Sequence, residues 1–201
     1  MDRPSTALAD LADLGQVRNL AAEVRRLTDR LDVFVSNAGI GSGLPDKRTR
    51  QISHDGFELR FAVNYLAGFL LTLELLPLLK AAGPARIVNV ASLGQHPLDF
   101  DDLMIEHGYS GTRAYGQSKL AQIMSGFELA QRLPAEEVTV NSLHPSTYMP
   151  TKMVLAEIRL TTPRRELNCG SAASNWSDGL ILWPDPLGSG YLGNVEFRTA
   201  Q

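Results

Sequence analysis

The sequence predicts a doubly wound α/β fold, with a parallel sheet carrying helices on both faces. Three observations point to it. Short apolar runs rich in β-branched residues recur along the chain, segments of helical periodicity stand between them, and small or polar residues gather where each apolar run stops. One strand per helix is the arrangement of a parallel sheet, whose strands are buried on both faces and therefore read as near-continuous apolar runs.

Taken in order, "STALADLADL" (5–14) reads as a strand ending near Asp10, and "LGQVRNLAAEVRRLTDR" (14–30) as a helix. The next strand is "LDVFVSNAG" (31–39), and a long helical segment follows over 53–82, with Ser53 as its N-cap and Asp55 in its first turn. "ARIVNVAS" (85–92), a helix over 111–133 and "EVTVNSLHP" (137–145) complete the repeating part. The stretch "NCGSAASNWSDGLILWPDPLGSGYLGN" (168–194) allows a helix, a Pro/Gly loop and a short final strand. No internal repeat, low-complexity segment or linker divides the chain, so residues 1–201 are expected to form one domain.

Composition narrows the setting. The 201 residues are 44% hydrophobic, enough for a sizeable core, and the net charge of −3 with no run of Lys or Arg longer than two argues against nucleic acid as a partner. Cys169 is the only cysteine, which excludes an internal disulfide and fits a reducing compartment. The start "MDRPSTALAD" lacks the order of a secretion signal. The most apolar run, "GFLLTLELLPLLKAAG", is read as too short and too interrupted by Glu74, Pro77 and Lys80 to span a bilayer. A cytoplasmic chain without membrane contact is expected.

In open α/β sheets ligands collect beyond the carboxyl ends of the strands. Here those ends hold Asn37, Ala38 and Gly39, then Ser92, then His144, Pro145, Ser146 and Thr147. Small residues there let a flat ligand approach the backbone, although any one of them alone is also an ordinary loop residue. In "RAYGQSKLAQ" (113–122), Tyr115 and Lys119 stand four apart and so share a helix face, either as a surface pair or as part of an active site. His54, His96, His107 and His144 lack metal-ligand spacing, and no metal is expected. The acidic stretch 95–113 reads as a solvated loop, with duty as a substrate lid the second reading.

Five stretches taken together resemble the short-chain dehydrogenases/reductases, in the branch with retinol dehydrogenases and protochlorophyllide reductase. They are "NAG" (37–39), "FAVNYLAGFLLT" (61–72), "RIVNVAS" (86–92), "YGQSK" (115–119) and "VTVNSLHPS" (138–146), in that family's order. The resemblance covers roughly residues 5–155 and implies a Rossmann-like fold and a catalytic group of Asn64, Ser92, Tyr115 and Lys119. The chemistry can be argued independently. Reduction of a ketone needs a proton at oxygen, and a phenol beside an ammonium can supply it, because the positive charge favours the phenolate left behind. Ser92 can donate a hydrogen bond to the substrate oxygen. The resemblance gives Asn64 a water linking Lys119 to solvent; as a residue it also reads as a core amide satisfying a helix end.

The same resemblance implies NADP as cofactor, with NAD the alternative, and a small hydrophobic carbonyl or alcohol as substrate. The adenine would lie near Asp10 and Leu11, the ribose near Asn37, Ala38 and Gly39. Tyr115, Lys119, Pro145, Ser146 and Thr151 would line the nicotinamide side. Two departures stand out. The family opens with a βαβ unit whose glycine-rich turn holds the pyrophosphate at a helix N-terminus, and nothing here supplies it, so the chain reads as N-terminally incomplete. The absent first strand would leave "LDVFVSN" without a main-chain neighbour, and either poor solubility or association into a homo-oligomer is expected from the exposed edge. Ser146 stands where the family commonly has glycine. Two hypotheses follow: an NAD(P)-dependent oxidoreductase, or a non-catalytic remnant that keeps the catalytic residues without the phosphate site.

Overall fold

The computed structural model describes residues 5–43, 48–145, 179–184 and 192–198, the last two segments through their backbone. Strand β1 (Ser5–Asp10) leads into helix α1 (Leu14–Leu27), then β2 (Val33–Ser36). A continuous helical run follows, made of α2 (Leu59–Phe61), a π-helical turn (Ala62–Leu66) and α3 (Ala67–Ala82). After β3 (Ala85–Val90) come α4 (Gly111–Arg132), β4 (Val138–Leu143), β5 (Gly179–Pro184) and β6 (Leu192–Arg198).

The six strands form one sheet in the order β1-β6-β5-β2-β3-β4. The expected parallel sheet is present in β5, β2, β3 and β4, while β6 runs antiparallel to both β1 and β5. Here the structure corrects the sequence reading. Val33, Phe34 and Val35 are not without a neighbour: they pair in parallel with Gly179, Leu180 and Ile181 of the same chain. The hairpin of β5 and β6 thus fills the two positions between β1 and β2, and the segment expected to hold one short final strand holds two.

The crossovers β1-α1-β2, β2-α3-β3 and β3-α4-β4 all step across the sheet in one direction. Right-handed connections of that kind place their helices on the same face. Accordingly α1 packs on α3, and α4 packs on α2 and the π turn. The core lies between this helix layer and the sheet, with Val17, Ala21 and Val24 of α1, Leu71, Leu75 and Leu79 of α3, Phe34 of β2 and Ile87 of β3 all fully buried. Helices were expected on both faces; the described residues supply one layer.

Local chemistry sets the helix ends. Asp13 caps α1, its carboxylate accepting from the N–H groups of Gly15 (2.8 Å) and Gln16 (3.2 Å). The Gln16 side chain also donates to it (3.1 Å), and that bond first, then the main-chain ones, hold its carboxyl below the usual range. The long helix begins not at Ser53 but at Leu59, where Glu58 Oε2 accepts from Phe61 N (2.7 Å). Ser53 instead closes a turn through Gly56, whose φ of +84° suits glycine. Asp55, expected in the first turn of that helix, accepts from Leu14 N (2.9 Å) at the positive end of α1. The apolar run read as too short for a bilayer belongs to the 24-residue helical stretch Leu59–Ala82, which by length and composition alone suffices to cross one; half of its most apolar window is buried in this fold.

Candidate active site

Because β1, β5, β2, β3 and β4 point the same way, Asp10, Ser36, Val90 and Leu143 end at one edge of the sheet. Helix α4 begins beside that edge and carries Tyr115 and Lys119 to it. Ser110 caps α4, accepting from Arg113 N (3.5 Å).

Lys119 is 4% exposed, and its Nζ donates to the carbonyl oxygen of Val90 (2.9 Å) and to Gln122 Oε1 (3.4 Å). A lysine so enclosed loses solvation for its charged form, and burial draws it down to about 8. This is no helix-surface pair. Gly39 lies against it: a Cβ on Gly39 would stand 3.0 Å from Asn64 Oδ1 and 3.6 Å from Lys119 Nζ. The end of β2, the π turn and α4 therefore meet at one point.

Asn64, 1% exposed, ties these pieces together. Its Oδ1 accepts from Ile40 N (2.7 Å), and its Nδ2 donates to Ile40 O (3.0 Å) and Ser118 Oγ (3.0 Å). Ser118 in turn donates to the carbonyl of Tyr115 (2.7 Å). Both amide protons of Asn64 are thus engaged within the protein, which leaves an Oδ1 lone pair and the main chain of the π turn for a water. Such π turns inside α-helices recur at functional sites.

Ser92 and Tyr115 face a common gap. Ser92 Oγ accepts from Gly94 N (3.0 Å), and a Cβ on Gly94 would sit 3.5 Å from both Ser92 Oγ and Tyr115 Cε1. Glycine at 94 keeps the space between hydroxyl and ring open. Gly116 has a sharper requirement, since a Cβ there would approach His96 Cβ to 2.8 Å and His96 N to 2.9 Å. The chain after Ser92 therefore lies directly on the start of α4, which fixes serine and tyrosine relative to each other.

The stretch 95–113 corrects its reading as a solvated loop in part. Asp99 pairs with Arg113 (2.7 Å), Ile105 is 1% exposed at φ +49°, and the Tyr109 hydroxyl reaches the buried Glu58 (3.0 Å). Of the expected cofactor residues, Ala38 is buried and Asn37 and Gly39 partly so at the end of β2. Asp10 closes its own turn, accepting from Ala12 N (2.8 Å), while the side chain of Leu11 is in the core and presents only its backbone to a ligand. Pro145 is exposed at the end of β4; Ser146 and Thr151 lie outside the described residues. Sequence reasoning passed over Ser118, Gln122 and Gly94. The first two were visible as polar residues on the inner face of α4 near Lys119, while Gly94 had no signal beyond its closeness to Ser92.

The donor set fits one end of a nicotinamide dinucleotide. Lys119 Nζ, buried beside Gly39, whose Cβ would press on Asn64 Oδ1, suits a ribose hydroxyl at the end of β2. For the pyrophosphate no counterpart exists among the described residues: β5 stands next to β2, and no described helix begins beside the two.

Comparison with known proteins bears on the same region. The family model for short chain dehydrogenase matches residues 3–159. The chain is similar to retinol dehydrogenase 14 of Homo sapiens, 46% identical over 138 residues that cover 68% of this chain and 40% of that protein. Retinol dehydrogenase 13 of Homo sapiens is 42% identical over 139 residues, with the same two shares. The chain thus spans well under half the length of the curated relatives it matches. Among solved structures, an uncharacterised protein from Mycobacterium paratuberculosis superposes with a TM-score of 0.60 at 32% identity, over 74% of this chain and 52% of that one. The RhlG/NADP active-site complex from Pseudomonas aeruginosa gives 0.55 at 30% identity, over 75% and 55%.

Proposed function

The chain belongs to the short-chain dehydrogenase family, and from that premise we propose that it is an NAD(P)-dependent oxidoreductase acting on a carbonyl or secondary alcohol of a small hydrophobic molecule. The observation that carries this is the buried Lys119, brought by α4 to Gly39 and Asn64 at the end of β2 on the helix that also presents Tyr115. NADP is the favoured cofactor, since relatives of known structure were solved with NADP. When bound, the nicotinamide supplies the hydride.

This chain's residues do the rest. Ser92, held by Gly94, donates a hydrogen bond to the substrate oxygen and fixes its position. Tyr115, across the same gap, delivers the proton to that oxygen in reduction and takes it back in oxidation. The Lys119 ammonium stabilises negative charge on the tyrosine oxygen as the proton leaves, and the surrounding protein strengthens that effect by excluding water. Asn64 keeps Gly39, Ile40 and α4 in register. Asn37, Ala38, Pro145, Ser146 and Thr151 would border the nicotinamide, and Asp10 and Leu11 the adenine. We place the chain in the cytoplasm, in keeping with its lone cysteine and the half-buried state of its most apolar helix.

A second reading is a remnant that keeps the catalytic residues without turnover. It is favoured by the β5–β6 hairpin standing where the family resemblance puts the phosphate-binding unit. Steady-state reduction of a hydrophobic ketone at millimolar NADPH separates the two. The oxidoreductase reading expects turnover in the wild type and near-complete loss in Tyr115→Phe with the fold intact. No turnover, or a Tyr115→Phe variant keeping more than a few per cent of the rate, favours the remnant.

A further inference from the structure

The segment that follows β2 is held by its main chain. Asn64 takes both the N–H and the carbonyl of Ile40, and the next two carbonyls, of Gly41 and Ser42, accept from Arg60 Nε (3.0 Å) and Nη2 (2.9 Å). Arg60 and Asn64 are four apart on one helical run, so a single face of it grips three consecutive residues.

Arg60 is fully buried, an uncommon place for a guanidinium. Its charge is met by Glu58, itself 1% exposed, whose Oε1 lies 3.7 Å from Arg60 Nη1. The Tyr109 hydroxyl bridges the two, accepting from Arg60 Nη1 and donating to Glu58 Oε1 (3.0 Å). Burial, and then the Glu58 charge, hold the Tyr109 phenol above its ordinary range, so it stays protonated and able to donate. Tyr109 belongs to the segment that runs from Ser92 to α4. That segment is pinned again nearby: Arg50 Nε donates to Met104 O (2.9 Å), and Ile105 is buried.

We propose that Arg60 is a positioning residue that clamps residues 40–42, which follow β2, and residues 103–109, which lead into the helix of Tyr115, to each other, so that these two segments hold the substrate as one body. The guanidinium fork is required for this. Its Nε and Nη2 serve one segment while Nη1 serves the other, and an ammonium cannot span both in the plane that the carbonyls define.

The test is amide hydrogen exchange on the whole chain without cofactor or substrate, comparing wild type with Arg60→Lys, Arg60→Met and Tyr109→Phe. Arg60→Lys should speed exchange in 40–43 and in 103–110 together, by tenfold or more, with α1 and β3 unchanged. Tyr109→Phe leaves the charge pair in place, so it remains informative if Arg60→Met does not fold; it should loosen 103–110 at least threefold and 40–43 less. The kinetic arm rests on the oxidoreductase reading: KM for the ketone should rise about tenfold in Arg60→Lys, with kcat and the KM for NADPH within threefold of wild type. Faster exchange throughout the chain, loosening of one segment alone in Arg60→Lys, or an unchanged ketone KM would overturn the clamp. A wild type without turnover would count against the oxidoreductase reading, and exchange alone would then decide the clamp.

Discussion

The two halves of the cofactor edge are built differently. On the side of β2, β3 and α4, buried polar groups are bonded to one another through Asn64, Ser118, Lys119 and Gln122, with distances of 2.7–3.4 Å. On the side of β1, an antiparallel hairpin occupies the sheet, and the described residues include no helix N-terminus next to β2. The proposed catalytic group and the proposed phosphate anchor are therefore separate regions of this chain. The first is preorganised where side chains of the π turn and α4 meet the main chain at the ends of β2 and β3; the second would need a turn that the described residues do not contain.

The largest break in this contrast should come from Lys119→Met. Turnover should fall nearly to the level of Tyr115→Phe in the steady-state assay, because the charge that supports the tyrosine oxygen is gone. Stability should move the other way. Lys119 ionises near 8 in the fold against an ordinary 10.5, so at pH 7 the folded protein bears the full cost of burying the charge, on the order of 3 kcal/mol. Between pH 8 and 10.5 the unfolded chain binds more protons, and raising the pH through that window stabilises the wild type. Thermal melts should show Lys119→Met more stable than wild type at pH 7, with the gap closing by pH 10. A constant gap would contradict the burial cost.

Ser92→Ala should lower kcat by roughly a hundredfold to a thousandfold, the range for one lost oxyanion-type donor. A loss under fivefold would mean that the serine only holds Gly94. On the other half, Ile181→Pro removes a main-chain donor from a strand paired on both sides and should destabilise the protein by about 3 kcal/mol in denaturant melts. An unchanged midpoint would show that β5 does not support β2. The smallest effect should be that of Gly68→Ala: its Cβ would meet Ser36 Oγ at 2.5 Å, so the Ser36 hydroxyl must turn away within the core at a cost of about 1 kcal/mol, again read from the denaturation midpoint.

The same contrast marks what could be read from sequence. Strands and helices carrying the proposed catalytic group were legible, because period and β-branched runs report burial directly, and "YGQSK" placed Tyr115 and Lys119 on one face. The start of the long helix was misplaced, because Ser53 is of the favoured N-cap type and Glu58 is not, and the bond of Asp55 to Leu14 is a tertiary contact that no local pattern shows. The hairpin was illegible as a partner for β2. Its pairing joins residues 146 apart, and no local pattern encodes such a contact. Arg60 was missed because an arginine in a helix reads as solvated, and its partners come from two segments distant in sequence.

The separation of the two halves is tested most directly by calorimetric titration of NADPH into the 201-residue chain. The proposed nicotinamide end has Lys119 beside Gly39 on the helix of Tyr115, while for the pyrophosphate the described residues offer no helix N-terminus next to β2. Binding weaker than micromolar, weakened further in Lys119→Met, is the predicted result. Micromolar or tighter affinity, unchanged by Lys119→Met, would contradict it.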